Sequence, residues 1–413
     1  MSGCPFKNLG NVTRRGFLAG MGGFFAAVGA GYGARALVGA TDSDSKPSRG
    51  APVDFLGTHQ AGIVTPQQGH TYFAAFDLAA GKRAEVVELL RAWTKRAQEL
   101  TDGKPDALIP GLAPASLTLT FGFGATLFSK EGKDRYGLAS KRPGALADMP
   151  TFNGDQMIPE KTGGDISVQA CADDPQVAFH AIRALVTLAE GRAHLRWAQT
   201  GFISRPADGS TPRNLQGFKD GTQNPLAQDM DKFVWVGSEG PDWMQGGSYV
   251  VMRRIRMALE HWDNVKPEFQ EQVIGRYKSS GAPLGMKNEF DALDLNATDK
   301  DGNFIIPENA HVRLGAAAVN DGAQILRRGY SYNDGANFTA ERWPPWRQGI
   351  EYDAGLLFVC YQRDPRDGFI KIFDKMSKFD ALNQFVTHTG GGLFACPAGV
   401  RQGEYVGQRL FAA

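Results

Sequence analysis

The sequence predicts a duplicated α+β fold, two successive sandwiches that each carry helices on one face of a sheet. Strand-like and helix-like segments recur in the same order in the two halves of the chain. One strand–helix junction is also echoed from half to half. With 413 residues and an apolar content of 42%, the chain can bury the core of two domains or of one large one.

Each element rests on its pattern. Residues 70–77 alternate as a strand does, and residues 82–101 place Val86, Leu89, Leu90, Trp93 and Ala97 at helical spacing. Strands at 116–123 and 166–172 and a helix from Gln176 to about Glu190 complete the first half. The second half offers a strand at 248–257, a helix at 260–276, strands at 324–332 and 356–362, and a helix at 368–379. The echoed junctions are Ile166–Cys171 leading to Asp174-Pro175, and Leu356–Cys360 leading to Asp364-Pro365. Two buried strands that happen to share a core cysteine are the other reading of that echo.

The first forty residues read as an address. Thr13, the pair Arg14-Arg15, then Phe17 and Leu18 precede a mildly apolar run over 16–34 that is diluted by seven glycines. Small-residue cleavage sites follow at Ala34-Arg35-Ala36 and Val38-Gly39-Ala40. This is the layout of a twin-arginine export signal, and the glycines argue against the alternative, a retained membrane span. That route carries folded proteins, which hints at a cofactor inserted before export. The expected organisation is a signal peptide over 1–40, a flexible linker over 41–54, an N-terminal domain over 55–210 and a C-terminal domain over 211–413.

Composition excludes several classes. Formal net charge is +1 and no long basic run occurs, so nucleic acid is not an expected partner. After the signal only Cys171, Cys360 and Cys396 remain, without a C-x-x-C pair, and the seven histidines form no H-x-x-H or H-E-x-x-H. That argues against a zinc enzyme. No G-x-S-x-G and no P-loop occur, and Gly122-Phe123-Gly124 reads as strand-end glycines, not as a dinucleotide loop.

Three segments remain. Gly217-Phe-Lys-Asp220-Gly221-Thr222-Gln223-Asn224-Pro225 is a shaped loop around one carboxylate, either a surface Asx-turn or a mount that aims Asp220 at a ligand. His311 opens His-Val-Arg-Leu shortly after Pro307, either a packed histidine or a ligand. Thirteen residues later Gln324-Ile-Leu-Arg327-Arg328-Gly-Tyr330 puts two consecutive arginines on a strand. They point to opposite faces, so one faces inward and needs an anionic partner, either Asp220 or an anionic ligand.

At these residues the chain resembles the dye-decolorizing (DyP-type) haem peroxidases. The resemblance covers essentially the whole mature chain, in order. It runs through Leu117–Gly124, the G-x-x-D-G loop at 217–221, the Gly281–Leu284 turn, His311, Ile325–Tyr330 and Leu393–Pro397. With the twin-arginine signal it is most similar to the exported EfeB-like subgroup, the deferrochelatase/peroxidases.

The resemblance implies paired ferredoxin-like domains with antiparallel sheets and helices on the outer faces, and one haem b in the C-terminal domain. It makes His311 the proximal iron ligand, Asp220 the distal acid–base and Arg327 the distal charge stabiliser. Gly221, Thr222 and Gln223 would line the haem, as would Ala316, Ala317 and Ala318 just beyond the axial histidine. Gly329 stands where some branches carry an Asn. Asp380, Asn383 and Gln384 fall in the stretch where a partner for the proximal histidine is expected, and the sequence leaves that partner unassigned. Tyr330, Tyr332, Trp343 and Trp346 are either packing aromatics or electron relays.

The implied reaction is hydrogen peroxide reduction at the expense of dyes, phenols or ferrous iron. Release of iron from haem with the porphyrin intact is the alternative, and non-catalytic haem carriage is a third. The expected setting is the periplasm or another extracytoplasmic space, reached through the twin-arginine translocase. A small-molecule reductant, components of an iron-import system and a second copy of the chain are the expected partners.

Overall fold

The computed structural model describes residues 50–412 apart from 105, 107, 108 and 341–347, so the segment read as an export signal, Trp343 and Trp346 lie outside the described residues. The first half is β1 (His70–Leu78), α1 (Arg83–Thr101), β2 (Thr118–Gly124), β3 (Ile166–Ala172), α2 (Pro175–Leu188) and β4 (Ala193–Phe202). Its strands pair antiparallel in the order β4–β1–β3–β2. Helix α1 buries the predicted stripe, Val86, Leu89, Leu90, Trp93 and Ala97. The Trp93 ring packs on Phe76 of β1 and Phe121 of β2, and its Nε1 donates to Leu185 O of α2 at 2.8 Å.

The second half repeats that plan. Its elements are β5 (Ser248–Met257), α3 (Pro267–Ile274), α4 (His311–Leu314), β6 (Leu326–Arg327), β7 (Tyr330–Ala340), β8 (Gln348–Gln362), α5 (Lys371–Phe379) and β9 (Val386–Cys396). The antiparallel order is β9–β5–β8–β7, with β6 alongside the end of β8. In each half the first strand therefore lies between the third and the fourth, the ferredoxin-like arrangement. The echoed junctions occupy equivalent places, because β3 and β8 are each the third main strand. Asp174 and Asp364 each accept the backbone N–H two residues on, at 2.7 and 2.8 Å, across a proline that starts the following turn. The echo therefore falls at equivalent places of the repeated strand order.

The two ladders continue into one another. Phe123 and Gly124 of β2 pair with β9, Phe202 of β4 pairs with Ser331 of β7, and the β5–β8 pairing closes the circuit.

Where the elements differ from the sequence expectation, a local cause is visible. The helix expected over 260–276 is split, because Pro267 cannot sit inside a helix, and it ends at Gly275 with φ +89°. The strand expected over 324–332 breaks into β6 and β7 at Arg328-Gly329. Strands β4 and β9 escape the sequence pattern altogether. The first exposes three successive residues, His194, Leu195 and Arg196, where its register with β1 shifts, and the second contains Gly390-Gly391-Gly392, which reads as a loop. Those glycines serve close backbone approach: a Cβ on Gly391 would lie 2.1 Å from Met252 O of β5.

Candidate functional site

The candidate site is built from four segments: the Asp220 loop, the start of α4, strand β6 and the turn after α5. His311 is the first residue of α4. Its Nδ1 lies 2.7 Å from Asp380 Oδ2, and since a carboxylate only accepts, the imidazole donates through Nδ1. Nε2 makes no hydrogen bond among the described residues, and the side chain is 36% exposed. Partial burial opposes an imidazolium there, but the Asp380 carboxylate outweighs it and raises the histidine above its ordinary range.

Asp380 is placed by the end of α5. Its N–H continues the helix to Met376 O at 3.0 Å, and its Oδ1 caps the next turn through Leu382 N at 2.8 Å. The side chain is only 4% exposed. The partner that the sequence left unassigned among three residues is thus Asp380. Asn383 turns back onto Met376 O and Ser377 O, and Gln384 onto Ala381 O.

The Asp220 loop has the irregular, glycine-turned backbone expected of it, with Gly217 at φ +86° and Gly221 at φ +113°. Phe218 plugs it into an apolar cluster with Trp262, Val273, Ile274, Ala381, Leu382 and Phe385, against which Val312 packs. One small core therefore fixes both sides of the site, since Phe218 precedes Asp220 while Val312 and Ala381 adjoin His311 and Asp380.

Asn224 ties this loop to β6. Its Nδ2 donates to Arg327 O at 3.0 Å, and its Oδ1 accepts from Arg327 N at 2.9 Å. Arg327 then reaches Asp220 Oδ1 with Nη1 at 3.5 Å and Gln223 O with Nη2 at 3.1 Å. Both charged side chains stay partly exposed, and both act electrostatically on His311, which puts all three in one neighbourhood.

The consecutive arginines do take opposite faces. The buried one is Arg328, and its hydrogen-bond partners are neutral: Thr65 O and, at 3.0 Å, Gln68 Oε1. The expectation that the inward arginine takes an anionic partner is therefore corrected, because carbonyl oxygens carry that charge and leave Arg327 for Asp220. Thr222 turns its hydroxyl to Glu289 at 3.0 Å, while Gln223 meets Arg327 through its carbonyl. Ala316 to Ala318 enter a short 3₁₀ turn just beyond α4. Tyr330 and Tyr332 are buried. The first places its hydroxyl 3.5 Å from Cys171 Sγ, and the second stacks under the Arg254 guanidinium.

The arrangement offers one free imidazole nitrogen with its tautomer fixed, and a carboxylate–guanidinium pair nearby. Residues 60–203 match the N-terminal domain and residues 211–401 the C-terminal domain of the family described as Dyp-type peroxidase. The chain belongs to the DyP-type peroxidase family. This bears out the resemblance read from the sequence. The dye-decolorizing peroxidase of Thermobifida fusca (strain YX) is 40% identical over 96% of this chain and 97% of its own length. The deferrochelatase of Escherichia coli (strain K12) is 36% identical over 89% of each chain. Ferric DtpA from Streptomyces lividans superimposes with a TM-score of 0.81 at 42% identity, covering 89% of this chain and all of that one. The DyP-type fold is the paired ferredoxin-like one, and the chain is a haem peroxidase, an oxidoreductase.

The residues present fit haem. An imidazole with a free Nε2 and a buried carboxylate on Nδ1 is the donor set of an axial ligand. Beside Gly221 the loop borders open space, where a Cβ would meet only Thr211 Cγ2 at 4.0 Å.

Proposed function

We propose that this DyP-type peroxidase binds one haem b through His311, reduces hydrogen peroxide with Asp220 and Arg327, and oxidises dyes, phenols or ferrous iron outside the cytoplasm. The observation that carries the reading is the pairing at His311, with Nδ1 committed to Asp380 and Nε2 left free beside the Asp220–Arg327 pair. Haem, when bound, supplies the iron at which peroxide is reduced and the oxidising equivalents passed to the reductant.

The chain's own residues do the rest. His311 offers the Nε2 lone pair, and Asp380 holds the ring in the tautomer that exposes it. Asp220 takes a proton from peroxide at a carboxylate oxygen and returns it to the departing oxygen, which leaves as water. Arg327 cannot lose its proton and presents N–H donors to the negative charge that grows as the O–O bond breaks. Bare haem carriage has no use for that pair. The twin-arginine pattern at Arg14-Arg15 supports export, and a reductant supplied outside the cytoplasm follows from it.

The test is an absorption spectrum of purified protein supplemented with haem, before and after one equivalent of peroxide. Asp220→Ala should keep the Soret band and slow the peroxide reaction by about 10²- to 10⁴-fold. His311→Ala should lose haem or its ferric ligation. No Soret band after supplementation overturns the proposal. Likeness to the deferrochelatases favours a second reading, in which two protons replace iron on an intact porphyrin. Holoprotein incubated without peroxide should then release iron and gain metal-free porphyrin fluorescence, and the absence of both removes that reading.

A further inference from the structure

The Asp220 loop is held from behind by a carboxylate that the chemistry above does not use. Glu289 lies on the irregular segment between α3 and α4, and only 9% of it is exposed. Its Oε1 accepts from the hydroxyls of Thr211 and Thr222, the latter at 3.0 Å, and its Oε2 accepts from Lys219 Nζ at 2.5 Å. Its backbone carbonyl accepts from Arg276 Nη1 at 2.8 Å, and that buried guanidinium also holds Gly281 O at 2.7 Å. Burial opposes ionisation of Glu289, but the hydrogen bonds from Lys219, Thr211 and Thr222 outweigh it and keep its carboxyl below the ordinary range.

The partners matter by their position. Lys219 immediately precedes Asp220, and Thr222 follows it by two residues. Thr211 adjoins Pro212, whose carbonyl accepts from Asp220 N at 2.8 Å. One buried anion therefore grips the loop before Asp220, after it, and at the backbone to which it is bonded. Asp220's own side chain has a single hydrogen-bond partner among the described residues, Arg327 at a long 3.5 Å. Its aim is accordingly set by its backbone, and that backbone turns through two glycines of positive φ, outside any helix or multi-residue strand and paired only by the antiparallel Arg213–Lys219 bridge.

We propose that Glu289 is a positioning residue for the peroxide reaction, fixing the Asp220 carboxylate by clasping Lys219, Thr222 and Thr211 around it. The inference rests on the reading of Asp220 as the acid–base group. A merely structural buried carboxylate would change stability when removed, whereas a positioning residue changes the rate only as long as Asp220 is there to be positioned.

The test compares the peroxide reaction of haem-loaded Glu289→Gln, Asp220→Ala and the double variant by stopped flow. Hydrogen exchange at residues 217–223 of the haem-free chain accompanies it. Glu289→Gln keeps the shape but sets an amide against Lys219, and should slow the reaction by about 10- to 100-fold with the Soret band unchanged. The double variant should be no slower than Asp220→Ala, and exchange at 217–223 should rise. Thr211→Val removes one grip and leaves Glu289 paired with Lys219. It should give a smaller loss in the same direction, and it decides the matter if Glu289→Gln does not fold. Full rates in these variants with Asp220→Ala slow overturn the inference and leave the proposed function standing. Losses that multiply in the double variant overturn it as well, because Glu289 then acts elsewhere. If Asp220→Ala reacts at the parent rate, the acid–base reading fails and this inference falls with it.

Discussion

At His311 the imidazole is held by one bond, from Nδ1 to Asp380 Oδ2, and Asp380 spends its other oxygen on the Leu382 N–H. A carboxylate on the distal nitrogen makes an imidazole a more electron-rich ligand, which favours the ferric over the ferrous state. Asp380→Asn removes that charge, and a single amide oxygen cannot serve both His311 and Leu382. The expected result is haem bound about 10- to 100-fold more weakly and a raised ferric–ferrous potential, read by haem titration and spectroelectrochemistry. An unchanged potential would show that Asp380 only caps the turn. The sequence named Asp380 alongside Asn383 and Gln384 and went no further, for a physical reason. Which of three polar residues meets a histidine 69 positions away depends on where α5 stops and how the next turn closes. His311 and Asp220 stood out as candidates because each sits in a motif with unusual neighbours, whereas Arg327 was preferred to Arg328 only through the family resemblance. Glu289 and Arg276 carry no such local signal, and their role exists only in the folded packing.

At the scale of elements, the distal pair is a product of one side chain that behaves as backbone. Asn224 mimics a strand partner, donating to Arg327 O and accepting from Arg327 N, so it extends the β8–β6 ladder to the loop that bears Asp220. Asn224→Ala leaves both backbone groups without their partner and frees the loop from β6. It should destabilise the protein by about 1–3 kcal/mol and slow the peroxide reaction while His311 ligation is retained, measured by chemical denaturation and by the Soret spectrum. Equal stability in the variant would mean that water replaces the clamp. The longer helices were legible here because each has one dry face and a periodic stripe, as α1 does. Strands β2, β3 and β5 are buried along nearly their whole length and stood out as short strand-like runs. Strands β4 and β9 were not legible. Their pairing is decided by neighbours far away in the chain, and β9 spends glycines where its partners crowd it.

At the scale of the whole molecule, the closed circuit of strands is tied to the loop at 150–158 through one buried cluster. Arg253 of β5 is 2% exposed, forms an ion pair with Asp155, and donates from Nε to His388 Nδ1 of β9 at 3.1 Å. Phe152 and Phe373 enclose the guanidinium, and Phe373 also packs on the His388 ring. His388 must accept at Nδ1, so it is buried neutral. Burial first, and the Arg253 charge second, pull its pKa down from 6.5 to about 3. Between those values the unfolded chain holds a proton on His388 that the folded chain lacks. Stability contributed by the neutral ring is therefore complete above pH 6.5 and is lost as pH falls towards 3. The slope from this one group is at most about 1.4 kcal/mol per pH unit. Acidic side chains held below their ordinary range add slopes of the same sign, so the difference between proteins isolates His388. In His388→Gln an amide oxygen takes over the acceptor role and nothing titrates. Denaturation of parent and variant from pH 7 to pH 4 should show the parent losing stability more steeply. Parallel curves would mean that His388 titrates in the folded protein as it does in the unfolded chain, and that the Arg253 cluster tolerates an imidazolium.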